Sequence, residues 1–80
     1  MIYLDNNATT KLDTKVYMKQ CETLKKYYGN ASSIYPIGVE SKKLIEEARQ
    51  KVANFINADL KAGDRIVFTS CATESNNAVF

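Results

Sequence analysis

A turn rich in hydroxyl groups near the end of the chain has the composition of an anion-binding site. Thr69-Ser70-Cys71-Ala72-Thr73-Glu74 follows a short β-branched and aromatic run and leads into a predicted helix. A strand that turns sharply into a helix points unpaired backbone N–H groups at one place, where the helix dipole adds positive potential. Such groups bind anions, commonly phosphate. If this turn binds an anion, the donors are the backbone N–H groups of Ala72 and Thr73 and the Thr73 hydroxyl. Most strand-to-helix turns rich in Ser and Thr are capped helices only, so the residues by themselves favour that interpretation.

Two other polar loops have side chains that could contact a ligand. The segment Asp5-Asn6-Asn7-Ala8-Thr9-Thr10 is too polar for a core, and Asn30-Ala31-Ser32-Ser33 separates two predicted helices. Asn, Asp, Ser and Thr side chains readily hydrogen-bond to nearby backbone. The residues alone therefore predict either turn and capping networks or ligand-facing loops.

Residue usage excludes several kinds of site. The chain has no histidine and two cysteines, Cys21 and Cys71. Without histidine or a Cys-x-x-Cys pair we predict no metal site, and a Ser-His-Asp or Cys-His arrangement cannot be assembled within the chain. Cys21 falls on the apolar face of a predicted helix, which indicates packing. Any chemistry therefore depends on a cofactor or on residues outside these 80.

Charge and hydrophobicity exclude other partners. The formal net charge is +2, from 11 Lys and Arg against 9 Asp and Glu. This balance is not typical of proteins that bind nucleic acid or a membrane surface, so we expect neither partner. No stretch approaches the roughly 20 apolar residues of a membrane span, and no signal-peptide pattern is present. We expect a cytoplasmic protein.

Two helices are predicted ahead of the turn. The first begins at a cap formed by Asp13 or Thr14 and ends at Gly29-Asn30, with Gly29 as a left-handed cap. The second begins at Pro36, since proline is tolerated in the first turn, and ends near Asn57. Apolar side chains recur at helical spacing on both: Tyr17, Cys21, Leu24 and Tyr28, then Ile45, Ala48, Val52, Phe55 and Ile56.

The remaining elements predict the start of an α/β domain. Ala62-Gly63-Asp64 is a turn signal, and Arg65 to Thr69 has the composition of a strand. A helix follows from about Thr73, with Ser70 and Thr73 as candidate caps. Because a lone strand is not stable, and because the last helix reaches Phe80 without a capping signal, we expect the fold to continue beyond these residues.

Three motifs resemble the N-terminal region of cysteine desulfurases, which are pyridoxal-phosphate-dependent enzymes of the class-V aminotransferase family. The segment from Ile2 to Thr10 resembles their N-terminus. Tyr28 to Ser33 resembles their Gly-Asn-Pro-Ser-Ser loop, and Phe68 to Asn77 resembles their Phe-Thr-Ser-Gly-(Ala/Gly)-Thr-Glu-Ser-Asn-Asn segment. The motifs occur in the family's order, and the resemblance covers essentially all 80 residues.

The resemblance implies a fold, a cofactor and a reaction. The fold is that of a fold-type I pyridoxal-phosphate enzyme, α/β, with residues 1–30 in the small-domain region and residues 31–80 at the start of the large cofactor-binding domain. The reaction converts L-cysteine to L-alanine and transfers the sulfur as a persulfide to an acceptor or scaffold protein, for iron–sulfur cluster assembly or other sulfur trafficking. A homodimer is implied for the full-length enzyme.

Roles for individual residues also follow from the resemblance. The positions of Ala72 and Thr73 bind the cofactor phosphate in the family, in agreement with the predicted anion site. Asn7 and Ala8 lie near the substrate. The chain departs from the family pattern at three places: Ala31 replaces Pro, Cys71 replaces Gly, and Tyr35 stands near the position where His is frequent. A small residue tolerated at the helix start is one interpretation of Cys71, and a reactive thiol is the other.

The resemblance places the principal catalytic residues of the family outside this chain. None of its nine lysines matches the lysine that holds the cofactor covalently, and neither cysteine matches the persulfide carrier. We therefore predict no catalytic residue here and no activity for the segment alone. The alternatives are a related lyase acting on selenocysteine, a truncated non-catalytic interaction module, and a free-standing anion-binding domain.

Overall fold

The computed structural model describes residues 1–80 and contains helices without strands. Helix α1 spans Thr14–Lys26, α2 spans Pro36–Phe55, a short 3-10 helix spans Leu60–Ala62, and α3 spans Ala72–Val79. The chain forms two compact units, residues 1–42 and 43–80, and α2 contributes to both. The predicted division at residue 30 concerns the domains of a larger enzyme and stays a prediction.

Helix α1 begins as predicted and ends earlier than predicted. Asp13 caps its start, since the Asp13 carboxylate accepts the Lys15 N–H at 2.8 Å. The helix ends at Lys26, ahead of Gly29, and Gly29 does not have the positive φ of a left-handed cap. Instead, a Cβ on Gly29 would lie 2.4 Å from the Ile37 carbonyl oxygen. The glycine is needed for close approach to the backbone of α2, so its predicted role as a cap is wrong.

Helix α2 has the predicted start at Pro36 and a well-defined end. Asn57 adopts the left-handed conformation with φ 59° and donates its N–H to the Asn54 carbonyl. The Ala58 N–H reaches back to the Ala53 carbonyl at 2.8 Å. This pair of hydrogen bonds is the Schellman arrangement, which satisfies carbonyls that the last turn leaves unpaired. The closure predicted at Asn57 to Asp59 is confirmed.

The predicted strand at residues 65–69 is absent, and with it the α/β character expected for this chain. A strand is held by hydrogen bonds to a neighbouring strand, and none of the other segments forms an extended partner. One carbonyl of the segment, that of Ile66, accepts a hydrogen bond from the Arg49 side chain. The turn predicted just before it is present, because Gly63 follows the 3-10 helix with φ 104°.

Burial is confined to a few small residues. Ala53 is fully buried, Ser41 is 7% exposed, and Gly38 is buried against the Asn30 to Ser33 loop. The apolar faces that periodicity predicted are mostly open, with Leu24 and Phe55 73% and 88% exposed. Cys21, predicted to pack, is also exposed. None of the helices combines the length and apolar character that crossing a membrane requires.

Candidate functional site

Helix α3 presents free backbone N–H groups at the predicted anion site. The helix begins at Ala72, and Cys71 precedes it with extended backbone, φ −167° and ψ 170°, without a side-chain capping bond. The first backbone hydrogen bond of the helix runs from the Ser75 N–H to the Cys71 carbonyl, at 3.2 Å. The N–H groups of Ala72 and Thr73 therefore have no partner within the helix. Both residues are exposed, so the two predicted phosphate ligands lie together and are accessible.

A hydrogen-bond network fixes the shape of this turn. The Glu74 carboxylate accepts hydrogen bonds from the Ser70 N–H, at 2.9 Å, and from the Ser70 hydroxyl. The Thr69 hydroxyl donates to the Cys71 carbonyl at 3.1 Å and lies 2.5 Å from the Ser75 hydroxyl. Ser70 and Thr73 do not cap α3, contrary to prediction, because Ser70 donates to Glu74 and Thr73 lies inside the helix.

The same network stabilises the ionised form of Glu74. The Ser70 hydroxyl, and then the Ser70 N–H, lower the pKa of the Glu74 carboxyl below its ordinary value. A carboxyl whose pKa is lower in the folded state stabilises that state above its unfolded pKa, and this contribution is lost as the pH falls through the folded pKa. At neutral pH the Glu74 carboxylate is therefore ionised and accepts both Ser70 hydrogen bonds.

The Asp5 to Thr10 loop, in the first unit, is a turn closed by its own hydrogen bonds. The Ala8 N–H donates to the Asp5 carbonyl at 3.1 Å, and the Thr10 hydroxyl donates to the Asn6 carbonyl at 3.2 Å. The Tyr3 hydroxyl lies 2.8 Å from two carbonyl oxygens, those of Asp5 and Thr9. These bonds confirm the predicted turn network. Asn7 and Ala8 are exposed within the turn and accessible to a ligand.

The third polar loop is a structural connection. Asn30 organises it, since its side-chain oxygen accepts the Ser32 N–H and its carbonyl accepts the Ser33 N–H, both at 2.9 Å. Gly38, in the first turn of α2, lies so close that a Cβ there would be 2.5 Å from the Asn30 carbonyl oxygen. The loop is therefore fixed against the start of α2.

Comparison with known proteins identifies the family. The family model for class-V aminotransferases matches residues 2–80. The chain belongs to the class-V aminotransferase family.

Curated relatives of this class-V aminotransferase segment include cysteine desulfurases. One from Trichormus azollae is 47% identical over 78 residues, covering 98% of this chain and 19% of the relative. One from Dictyoglomus turgidum is 49% identical over 76 residues, covering 95% of this chain and 18% of the relative. A selenocysteine lyase from Bos taurus is 40% identical over 78 residues, covering 98% of this chain and 17% of the relative. The chain thus spans less than a fifth of the length of these relatives. No solved structure matches it.

Cys71 immediately precedes α3, next to the N–H groups at the start of the helix. Its pKa is lowered first by the Glu74 N–H, then by the Ser70 hydroxyl, and further by the N–H and hydroxyl of Thr73. Ser70 Oγ lies 3.7 Å from the sulfur. These donors stabilise a negative charge on the thiolate, as they would on any anion placed there. The direction of the Cys71 pKa thus supports an anion-favouring environment at this turn.

We expect Ser70→Ala to shift alkylation of Cys71 to higher pH. The change removes a hydroxyl that lowers the pKa of Cys71, so the thiolate fraction at neutral pH falls and the reaction slows. Iodoacetamide labelling across a pH series, followed by mass spectrometry of the peptide containing Cys71, measures this. Thr14→Ala removes a hydroxyl elsewhere and should leave the profile unchanged. A profile unaffected by Ser70→Ala would contradict the assignment.

Arg49 is a contact residue that the sequence analysis did not single out. It donates to the Ile66 carbonyl and forms an ion pair with Glu46, whose Oε2 lies 3.1 Å from Arg49 Nε. The spacing of Glu46 and Arg49, three residues apart on a predicted helix, is a signal that could have identified the ion pair. Nothing local to either residue indicated the contact with Ile66, which lies 17 positions further along the chain.

Proposed function

We propose that this chain is the segment of a pyridoxal-phosphate-dependent cysteine desulfurase that binds the cofactor phosphate, working within a longer polypeptide. The observation that carries the proposal is the turn before α3, where the N–H groups of exposed Ala72 and Thr73 have no partner within the helix. The family and the cysteine desulfurase relatives support it, since the relatives match the segment along nearly its whole length.

The residues at the turn fit a phosphate group. A phosphate needs several donors at one place and favours the positive end of a helix. The N–H groups of Ala72 and Thr73 supply donors, and the Thr73 hydroxyl supplies another. The one carboxylate of the turn, on Glu74, is engaged by Ser70, which removes part of its repulsion toward an anion. The lowered pKa of Cys71 points to the same preference for negative charge.

The proposed reaction converts L-cysteine to L-alanine and passes the sulfur, as a persulfide, to an acceptor or scaffold protein. Pyridoxal phosphate, when bound, supplies the electron sink that such chemistry at an amino-acid Cα requires. The part of this chain is to bind and orient the phosphate, so that the reactive end of the cofactor is held at a fixed place. The covalently bound lysine and the persulfide-carrying cysteine belong to other parts of the polypeptide in this proposal.

The Asp5 to Thr10 loop is proposed to face the substrate. Asn7 and Ala8 are exposed, and the loop around them is held by backbone and side-chain hydrogen bonds. An asparagine amide offers both donors and an acceptor to the charged groups of an amino acid. A homodimer, the domain division at residue 30 and a cytoplasmic location accompany the proposal as predictions from the sequence.

A selenocysteine lyase is the second candidate. The observation that favours it is the 40% identity with the Bos taurus selenocysteine lyase over 98% of this chain. Both reactions require the cofactor phosphate to be held, so the α3 turn has the same role in each. The identity of the substrate atom, sulfur or selenium, is what separates the two candidates.

Activity of the full-length enzyme that contains these 80 residues tests the proposal. We expect alanine formation from L-cysteine in the presence of pyridoxal phosphate, and no alanine from the 80-residue chain alone. Preference for L-selenocysteine over L-cysteine would favour the second candidate. Activity of the isolated chain would contradict the assignment of catalysis to residues elsewhere, and absence of activity toward both amino acids in the full-length enzyme would overturn both candidates.

A further inference from the structure

Arg49 connects the middle of α2 to the segment that leads into the phosphate-binding turn. Its guanidinium donates a hydrogen bond to the Ile66 carbonyl, and the guanidinium carbon lies 5.0 Å from the centre of the Phe68 ring. Glu46 holds the same group through Nε to Oε2 at 3.1 Å and Nη2 to Oε1 at 3.3 Å. The Arg49 side chain is 26% exposed, so these contacts form in a half-buried position.

The three contacts use different parts of the guanidinium. The Glu46 carboxylate accepts hydrogen bonds from Nε and Nη2, and the Ile66 carbonyl accepts one from Nη1. The Phe68 ring lies within cation–π distance of the guanidinium. A planar group with donors at fixed angles and an aromatic contact has little freedom to rotate. Arg49 therefore fixes both the position of the Ile66 carbonyl and the position of the Phe68 ring. A lysine at this position has no planar fork and cannot make the same set of contacts.

The segment that Arg49 contacts, residues 66–68, leads directly into the proposed phosphate-binding turn. Thr69 follows Phe68, and its hydroxyl donates to the carbonyl of Cys71, the residue that precedes α3. The same hydroxyl lies 2.5 Å from Ser75, in the first turn of the helix. Residues 66–68 are thus connected to the start of α3 by the peptide bond between Phe68 and Thr69 and by the two hydrogen bonds of the Thr69 hydroxyl. The donors at Ala72 and Thr73 depend on that start for their direction.

We infer that Arg49 is a positioning residue for the phosphate-binding turn, acting through Ile66, Phe68 and Thr69, and this rests on the proposed function. Hydrogen-bond strength falls steeply with misalignment, so a turn that is displaced binds phosphate less well. The consequence is specific: loss of Arg49 should lower affinity for the phosphate group of the cofactor more than affinity for its pyridine ring. A residue that merely stabilised the fold would affect both parts alike.

The test compares two ligands in the full-length apoenzyme. The ratio of the dissociation constant for pyridoxal to that for pyridoxal phosphate measures the contribution of the phosphate. We expect Arg49→Met to lower this ratio about tenfold, slightly less than the loss of one complete hydrogen bond to a charged group. Arg49→Lys should lower it less, because lysine keeps one donor for Ile66. The ³¹P resonance of bound pyridoxal phosphate should shift in Arg49→Met, which reports the changed surroundings of the phosphate directly.

A double-mutant cycle with Thr73→Ala connects Arg49 to the turn. If Arg49 acts through the turn, the two changes together should lower the ratio by less than the product of their separate effects. Lys51→Met removes a cation from the same helix and is the matched control, with the ratio expected unchanged. Glu46→Gln and Arg49→Lys provide the same comparison if Arg49→Met does not yield folded protein.

The outcomes separate this inference from the proposed function. The positioning role would be overturned if the Arg49 variants weakened binding of pyridoxal and of pyridoxal phosphate equally. It would also be overturned if the effects of Arg49→Met and Thr73→Ala on the ratio multiplied fully in the double variant. If Thr73→Ala lowers the ratio while Arg49→Met and Arg49→Lys leave it unchanged, the phosphate site stands and the role of Arg49 is wrong. If Thr73→Ala itself leaves the ratio unchanged, the assignment of the turn fails.

Discussion

Thr73→Ala in the full-length enzyme is expected to weaken pyridoxal-phosphate binding by about 10- to 100-fold. The change removes a hydroxyl that we propose donates to the cofactor phosphate, and a hydrogen bond to a charged group contributes about 1.5–3 kcal/mol. Thr73 is exposed in the first turn of α3, where its loss leaves no cavity. The measurement is the dissociation constant of the cofactor, obtained by titrating the apoenzyme.

Thr73→Ser is the matched variant, because it keeps the hydroxyl and removes only a methyl group. We expect its affinity to stay within a few-fold of the unsubstituted enzyme, and we expect the affinity for pyridoxal, which lacks the phosphate, to be unchanged in both variants. Unaltered binding of pyridoxal phosphate by Thr73→Ala would falsify the assignment of Thr73 to the phosphate.

Gly38→Ala is expected to destabilise the protein by roughly 1–3 kcal/mol, the usual cost of overpacking. In an open helix the same change stabilises by about 1 kcal/mol, since alanine is the better helix former. At Gly38 a Cβ would lie 2.5 Å from the Asn30 carbonyl oxygen and 2.7 Å from the Ser33 Cβ. The loop or the helix must therefore move, and the substitution destabilises the protein here instead of stabilising it. The midpoint of urea unfolding in the full-length enzyme measures the change.

Two further variants test the cause of the Gly38 effect. Lys43→Ala, at an exposed position of the same helix, should change the free energy of unfolding by less than about 0.5 kcal/mol. Ser33→Gly combined with Gly38→Ala should recover part of the loss, because it removes one of the atoms that the new Cβ meets. Stabilisation by Gly38→Ala would show that the loop does not pack against α2 as described.

The helix boundaries and the turn chemistry were largely predictable because they depend on local interactions. Asp13 caps α1, Pro36 starts α2, and the last helix begins at Ala72, within one residue of the predicted Thr73. Each of these features is decided by a residue and its neighbours within one helical turn. The family was predictable for a different reason, since three motifs in order are specific even where each alone is not.

The features that sequence reasoning missed depend on contacts between distant residues. Gly29 was predicted to be a helix cap, although its importance comes from Ile37, eight residues later. The strand at residues 65–69 was predicted from composition, but a strand also requires a neighbour, and the chain supplies an arginine side chain instead. Periodicity predicted apolar faces on α1 and α2, but Tyr28 and Ile56 lie beyond the helix ends, and the spacing does not reveal whether anything covers the faces.

The exposed thiol at the start of α3 makes the turn experimentally observable. Cys71 precedes the two proposed phosphate ligands and is accessible to reagents. Converting its sulfur to a thiocyanate would place a nitrile there, and the nitrile stretching frequency responds to the local electric field. Such a vibrational probe would register the arrival of a dianion at the helix end in an infrared spectrum, without any reaction having to occur.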